Sequence, residues 1–220
     1  KNINKALQIN NNSDASYHNL GLILYDKENT DTYQDALNAF SKSIKINPKN
    51  FNSSQLLGEI YYKLGNIDDG IRYLSKAIAL NKNSSDSYLL LGNCYAEIGQ
   101  YEKSIIEFKK AINISPSRSS PYNSIGNALV NLKREDEAIN YYLESLKTLK
   151  NTNTEDANEL IAQCYYNLGL TYRGLEDFKN AEKYLIKTLS ISPNHYKAQS
   201  EYASIKLITR IHSKNNDDTL

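Results

Sequence analysis

The chain has few of the residues on which disulfide, metal and catalytic sites depend. Its 220 residues include no tryptophan, no methionine, two cysteines, three histidines and four prolines. Two cysteines are too few for a disulfide framework or a four-cysteine zinc site. His18, His195 and His212 have no cysteine, serine or acidic cluster at a catalytic or metal-ligand spacing, and no glycine-rich phosphate loop occurs. We therefore predict that the chain is not an enzyme and that it binds no cofactor and no metal.

Charge and hydropathy exclude two further classes of partner. The net charge is +1, with acidic and basic residues interleaved, so nothing attracts nucleic acid or an anionic membrane in general. No apolar run approaches the roughly 18 residues that a spanning helix needs. The first residues, KNINKALQIN, lack the apolar region of a signal peptide. We expect no nucleic-acid partner, no membrane insertion and an intracellular, cytoplasmic location. We also expect an excised fragment, whose parent could carry a targeting segment, and the oligomeric state stays open.

Self-similarity at a fixed period is the strongest signal in the sequence. Five glycines are separated by 37, 34, 34 and 43 residues, and two columns of small residues are separated by 34, 34, 34 and 43. One period of 34 residues explains all three columns, with three extra residues in the first unit and nine before the last. The columns are Gly21, Gly58, Gly92, Gly126 and Gly169; Ala36, Gly70, Ser104, Ala138 and Ala181; and Ser43, Ala77, Ala111, Ser145 and Thr188.

Each unit has a helical pattern. In residues 85–116, apolar positions recur at steps of three and four, as at Tyr88, Leu91 and Tyr95. Gly99 separates two such runs and is expected to end the first helix, while Pro116 cannot continue the second. Ser117 or Ser119 is expected to cap the next helix. Each unit is thus predicted to be a helix–turn–helix, and the architecture all-α.

The motif YLLLGNCYAEIGQYEKSIIEFKKAINISP resembles a tetratricopeptide repeat (TPR). YHNLGLIL, LLGEIYYKLG, YNSIGNALVNL and YYNLGLTYRGL continue the match in register. The resemblance implies a right-handed superhelical solenoid of antiparallel helix pairs, with the first helices on the concave side and a C-terminal capping helix. The predicted segments are 1–12, the end of a preceding repeat; 13–50, with an insertion in its turn; 51–84; 85–118; 119–152; 153–195, with a lengthened first helix; 196–212, the capping helix; and 213–220, a disordered tail.

The repeat columns predict how the two helices of a pair pack. A glycine in the first helix lets the second approach closely, and we expect the small residues of the second helix to face it. Tyr17, Tyr88, Tyr122 and Tyr165 supply the large aromatic partner. The second repeat has Ser54 in that place, so a weaker contact is expected there.

The insertions and the cysteines leave some alternatives. The three extra residues are expected to lengthen the first turn. The nine extra residues either lengthen the first helix of the fifth repeat by about two turns, capped by Asn153 or Thr154, or form a loop before an ordinary helix. Cys94 is expected to be buried, and Cys164 to be a structural thiol that is partly exposed.

The resemblance implies that a partner segment binds in the concave groove, where asparagine is mildly enriched. Asn123, Asn127 and Asn131 are spaced i, i+4, i+8 and form one stripe. Amides donate and accept hydrogen bonds, so the stripe could hold a peptide backbone, or it could be a solvated face of an asparagine-rich chain. The candidate groove residues are Asn19, Tyr62, Lys63, Asn93, Asn123, Asn127, Asn131, Asn167 and Arg173.

The predicted function is a non-catalytic scaffold or adaptor that binds a peptide or helical segment of a partner protein. Binding to the carboxylate terminus of chaperones is not expected, because the places of the basic clamp residues hold His18, Ala15, Asn52, Asp86 and Ser120. Two alternatives are a TPR targeting arm of a larger, glycosyltransferase-like enzyme and a structural subunit of a large multiprotein assembly.

Overall fold

The computed structural model describes residues 13–25, 30–150 and 154–217, and within these ranges all regular structure is α-helical. The order of the elements matches the predicted alternation of first and second helices, which confirms the all-α architecture. The helices are α1 (Asp14–Tyr25), α2 (Thr30–Ile46), α3 (Phe51–Lys63), α4 (Ile67–Leu80), α5 (Ser85–Glu97), α6 (Tyr101–Ile114), α7 (Ser119–Asn131), α8 (Glu135–Leu149), α9 (Glu155–Gly174), α10 (Phe178–Ile191) and α11 (Tyr196–Asp217).

The helices pack in consecutive pairs within two compact units, Lys1–Ile114 and Ser115–Leu220. In the first unit α1 packs against α2, α3 against α4 and α5 against α6, and the pairs meet through α2–α3 and α4–α5. In the second unit α7 packs against α8 and α9 against α10, while α8 contacts α9 and α11 covers α10. Neighbouring first helices also touch, as α3 with α5 and α7 with α9. Each unit therefore buries its core between stacked helical hairpins.

Short turns set the antiparallel arrangement of the pairs α3–α4, α5–α6, α7–α8 and α9–α10. Gly65 and Gly99 follow α3 and α5 with φ angles of 75° and 74°, in the left-handed region that glycine adopts at little cost. Lys133 and Glu176 occupy the same place after α7 and α9, with φ angles of 60° and 59°. The turn conformation is thus kept even where the sequence offers no glycine, at a cost of about 1–2 kcal/mol for each side chain.

The glycine column is a set of close helix contacts, as predicted, but the facing residues are large. A Cβ atom added to Gly21, Gly58 or Gly92 would lie 2.5 Å from a side-chain carbon of the second helix, and at Gly169 the distance is 2.9 Å. The small residues do lie opposite the glycines, since a Cβ on Gly70 would meet the Gly58 carbonyl at 3.4 Å and one on Gly169 the Ala181 carbonyl at 3.5 Å, but the nearest side chains are large. A flat aromatic ring or a leucine side chain packs over each glycine, and the residues of the two small-residue columns are buried. The facing pairs are Gly21–Phe40, Gly58–Leu74, Gly92–Phe108, Gly126–Tyr142 and Gly169–Leu185.

The tyrosine column lies at the edge of the core, because all four rings are half-buried. Lys42 lies over the ring of Tyr17 at 5.3 Å, and Lys187 over the ring of Tyr165 at 5.0 Å. Tyr88 has the same relation to a lysine of α6. Three of the four rings, those of Tyr17, Tyr88 and Tyr165, thus have a cation–π contact as well as apolar packing. Ser54 is fully buried and donates a hydrogen bond to the Asn50 carbonyl (3.0 Å), and the weaker contact expected there stays a prediction.

Both insertions are helical where the structure describes them. α2 has 17 residues against 14 in α4, and it begins three residues early, at Thr30. The three extra residues thus extend α2, because the segment TDT at its start contains nothing that stops a helix. The expected lengthening of the turn by these three residues is therefore wrong. Residues 26–29 lie outside the described residues. α9 has 20 residues against 13 in α7, and the Thr154 hydroxyl accepts a hydrogen bond from the Ala157 amide (3.2 Å). Asn153 lies outside the described residues.

The ends of the chain and one predicted cap differ from expectation. α11 continues to Asp217, so residues 213–217 are helical and not a disordered tail, because no glycine or proline stops the helix. Residues 1–12 and 218–220 lie outside the described residues. Neither Ser117 nor Ser119 caps α7: Arg118 precedes the helix, and Ser119 is buried in its first turn.

Candidate interaction surface

A cluster of four side-chain amides lies on α7 and α9 in the second unit. Nδ2 of Asn167 donates to Oδ1 of Asn123 (3.1 Å) and to Oδ1 of Asn127 (3.0 Å), which are one helical turn apart on α7. Gln163, one turn before Asn167 on α9, donates from Nε2 to Oδ1 of Asn167 (2.9 Å). We call Asn123, Asn127, Gln163 and Asn167 the amide cluster.

The hydrogen bonds within the cluster fix which atoms it presents. Both α7 amides turn Oδ1 towards Asn167, so their Nδ2 groups are the donors that remain. Among the described residues these two Nδ2 groups, and Oε1 of Gln163, have no hydrogen-bond partner. Asn127 is exposed, while Asn123 and Asn167 are half-buried. The surface thus offers two oriented donors on α7 and one acceptor on α9, which complement the C=O and N–H groups of an extended peptide.

Buried groups of the core hold the cluster in place from below. The Tyr142 hydroxyl, on a side chain that is 2% exposed, donates to Oδ1 of Asn127 (2.8 Å). Burial raises the pKa of Tyr142, so the hydroxyl keeps its proton and stays a donor. Sγ of Cys164 lies 3.5 Å from Oδ1 of Asn123 and 3.3 Å from Oγ of Ser145. The amides are therefore oriented by buried side chains of α8 and α9, which also form the core.

Two other predicted residues of the second unit have different roles. Nδ2 of Asn131 donates to the Asn127 carbonyl of its own helix (2.9 Å), so the structure does not join Asn131 to the amide cluster. Nη1 of Arg173 pairs with Oε2 of Glu201 (2.5 Å) and ties α9 to α11. Arg173 thus stabilises the position of the last helix.

In the first unit, Lys63 belongs to a charged cluster with Tyr25 and Glu59. Nζ of Lys63 lies 3.4 Å from Oε1 of Glu59 and also donates to the Tyr25 hydroxyl. That hydroxyl donates to Oε1 of Glu59 (2.6 Å). Burial, together with this hydrogen bond, raises the pKa of Tyr25 to about 12. The charge of Lys63 is therefore largely balanced within the protein.

The remaining predicted residues of the first unit are not joined into one site. Tyr62 is half-buried and packs against Leu74, Leu91 and Cys94, and burial raises its pKa. It serves mainly as core. Asn93 is half-buried on α5 and Asn19 is exposed on α1.

A histidine–serine contact in the first unit was not expected from the sequence. Nδ1 of His18 lies 2.9 Å from Oγ of Ser53, and Asp14 is one turn before His18. Ser53 is fully buried and shares a second hydrogen bond with Ser43 (2.9 Å). Burial lowers the pKa of His18, against the opposing effect of the Asp14 charge. Because Ser53 is fully buried and bonded on both sides, the contact forms part of the packing of α1 on α2 and α3.

Both cysteines are buried and free. This confirms the prediction for Cys94, whose pKa is raised to about 12 by burial. The expected partial exposure of Cys164 is wrong, because the side chain is 1% exposed beneath the amide cluster, where burial again raises its pKa.

Neither Gln163 nor Tyr142 was predicted from the sequence to belong to the site. Gln163 lies four residues before Asn167, the same i, i+4 spacing that marks the stripe on α7, so the pattern was available. Tyr142 gave no such signal, since only the packing of α8 against α7 brings its hydroxyl to Asn127.

Two further structural features concern possible ligands and membranes. No group of three or more histidine, cysteine or acidic side chains is placed to hold a metal ion in the described ranges. In the same ranges, no helix has the length and apolar character to cross a bilayer.

Comparison with known proteins identifies the family. The tetratricopeptide repeat family model matches residues 50–117 and 117–194, which is more than half of the chain. The chain belongs to the tetratricopeptide repeat family. This agrees with the repeat period, the glycine contacts and the hairpin packing, and such repeats are typical of non-catalytic scaffolds for protein–protein interaction. No curated protein matches the sequence significantly.

Solved structures share the fold at low sequence identity. A chain of the APC/C hetero-tetramer Cut9–Hcn1 has a TM-score of 0.75 and 20% identity over 94% of this chain, which spans 39% of that chain. YrrB, described as a TPR protein with an unusual peptide-binding site, has a TM-score of 0.69 and 20% identity, covering 91% of this chain and 97% of that one. MamA from Desulfovibrio magneticus RS-1 has a TM-score of 0.71 and 15% identity, covering 83% and 96%.

Proposed function

We propose that this protein is a non-catalytic scaffold whose first helices bind an extended segment of a partner protein. The amide cluster on α7 and α9 carries the proposal. Its four amides on α7 and α9 are oriented by hydrogen bonds to one another and to Tyr142. They are therefore ordered before any ligand binds, which lowers the entropic cost of association.

The chemistry of the cluster favours a peptide backbone over a particular side chain. The Nδ2 groups of Asn123 and Asn127 can donate to two carbonyls of the bound segment, and Oε1 of Gln163 can accept from an N–H. Every peptide has these groups, so the cluster holds a segment without reading its sequence. The corresponding contacts proposed for the first unit are Asn19 on α1, Asn93 on α5, and Tyr62 and Lys63 on α3. In the second unit, Asn131 and Arg173 flank the amide cluster.

The proposal is supported by the family and by one relative. Tetratricopeptide repeats commonly bind protein segments, and YrrB, which shares the fold, has a peptide-binding site. The basic residues that would bind a terminal carboxylate are missing from this sequence, which favours recognition of a peptide backbone instead.

Peptide selection tests the proposal. A displayed library of random-sequence decapeptides is selected on the chain, and binding of enriched peptides is measured by fluorescence anisotropy. The Asn127→Ala and Asn167→Ala variants should each bind the peptides about fivefold more weakly, since one hydrogen bond contributes about 1 kcal/mol. Asn140→Ala is the matched control, because Asn140 is an exposed asparagine on α8.

Two results would contradict the proposal. Equal affinity of Asn127→Ala, Asn167→Ala and wild type would remove the amide cluster from the binding site. Enrichment of no peptide at all would favour the alternative role as a structural subunit, in which the chain contacts folded surfaces of its neighbours.

A further inference from the structure

The two turns that lengthen α9 form one wall of a cleft of about 400 Å³ in the second unit. Asn158 and Glu159 of these added turns line one side, followed by Ala162 and Gln163. Ile191 and Ser192, at the end of α10, and His195, just before α11, line the other side. The volume lies in the range of small-ligand sites, which begins at about 300 Å³. An ordinary repeat, with a 13-residue first helix like α7, would lack this wall.

The polar groups of the cleft favour a cation. Among the described residues that line the cleft, the exposed Glu159 is the one charged side chain, and none is a lysine or an arginine. The amides of Asn158 and Gln163 and the hydroxyl of Ser192 add neutral hydrogen-bond acceptors. Ala162 and Ile191 provide an apolar surface along which the aliphatic stem of a long basic side chain can lie.

His195 has its orientation set by α11. Its Nδ1 accepts a hydrogen bond from the Ala198 amide (3.1 Å), and its ring packs on Tyr166 at a centroid distance of 4.7 Å. Because Nδ1 accepts this hydrogen bond, Nε2 is the ring nitrogen that remains for a ligand. These two contacts hold the ring at the rim of the cleft.

Gln163 connects the cleft to the amide cluster. It lines the cleft, and its Nε2 donates to Asn167 at the same time. A peptide backbone that lies on Asn123 and Asn127 therefore has a neighbouring recess for one side chain. The two features are continuous on α9.

We propose that this cleft is a specificity pocket for an arginine or lysine side chain of the partner segment, with Glu159 as its counter-charge. The inference rests on the proposed function for the peptide backbone and adds a sequence preference to it. Arginine is the better fit, because its planar guanidinium can bind a carboxylate through two parallel hydrogen bonds and still donate to Asn158 or Gln163.

An NMR titration tests the pocket without any partner. The ¹⁵N-labelled chain is titrated with N-acetyl-arginine amide and, separately, with N-acetyl-leucine amide. The arginine amide should shift backbone resonances of residues 158–163 and 192–195, and the leucine amide should not. Glu159→Gln should weaken binding of the arginine amide about two- to fivefold, which is the range for a solvent-accessible ion pair. Glu144→Gln, an exposed glutamate of α8, is the control.

The outcomes separate this inference from the proposed function. No shift at these residues with arginine amide overturns the pocket, whatever the peptides do. If the pocket binds arginine amide but selected peptides show no basic residue, its role in partner recognition is overturned while backbone binding stands. Support requires that wild type enriches arginine or lysine at one fixed position and that Glu159→Gln loses the enrichment. If no peptide is enriched, the proposed function fails, and the titration still decides whether the cleft binds a cation.

Discussion

Replacement of Gly92 by alanine tests the close contact on which the helix pairs depend. The added Cβ would lie 2.5 Å and 2.6 Å from two ring carbons of Phe108, far inside van der Waals contact. Phe108 is 1% exposed, so its ring is enclosed by the core and is not free to turn out into solvent. Either α5 and α6 separate or the ring leaves its rotamer.

The expected effect is a loss of stability even though alanine is the better helix former. Overpacking of a core costs about 1–3 kcal/mol. Alanine returns about 1 kcal/mol of helix propensity. The free energy of unfolding of Gly92→Ala should therefore fall by up to about 2 kcal/mol. Gly174→Ala is the control, because Gly174 is exposed in α9 and its added Cβ would meet no atom within 4 Å. That variant should gain up to about 1 kcal/mol.

Urea unfolding followed by far-UV circular dichroism measures both variants. Because neighbouring repeats unfold as coupled units, the early part of the transition should change most in Gly92→Ala. If Gly92→Ala is as stable as Gly174→Ala, the glycine column does not mark close helix contacts and the packing described here is refuted.

Two further predictions follow from burial. The pKa of His18 is lowered in the fold, so the unfolded chain takes up a proton first as the pH falls below about 6.5, and stability should decrease from there towards pH 5. His18→Gln should flatten this part of a pH series of urea midpoints, and an unchanged slope would show that His18 is not buried beside Ser53. Cys94 and Cys164 should react with a thiol reagent only after urea unfolds the chain, because both are buried with raised pKa values. Rapid labelling of the native protein at either cysteine would contradict that placement.

Much of the fold could be predicted because each repeat depends on local rules. The helix pairs were predicted from the glycine spacing and from the three- and four-residue steps between apolar residues, and one turn was predicted from Gly99. The start of α2 and the end of α11 were missed, since neither boundary has a residue that forces it. Cys164 was misplaced because its environment comes from Ser145 of the preceding helix and Asn123 of α7, both remote in sequence.

The candidate surface was predictable as a face but not as a site. The i, i+4 spacing placed Asn123, Asn127 and Asn131 on one stripe, yet only the packing of α9 on α7 selects the first two as partners of Asn167. From the sequence, Lys63 and Arg173 were expected to contact a partner. In the structure, Lys63 pairs with Glu59 of its own helix and Arg173 pairs with Glu201 of α11.

The sequence by itself determined the period, the helical hairpins and the family, because steric rules for glycine and apolar periodicity act within a few turns of helix. Tertiary structure alone decided which amides meet, which charges are balanced and where the lengthened α9 creates a cleft. The amide contacts depend on side chains 15 to 44 residues apart that are brought within hydrogen-bond distance by packing within a helix pair and between one pair and the next.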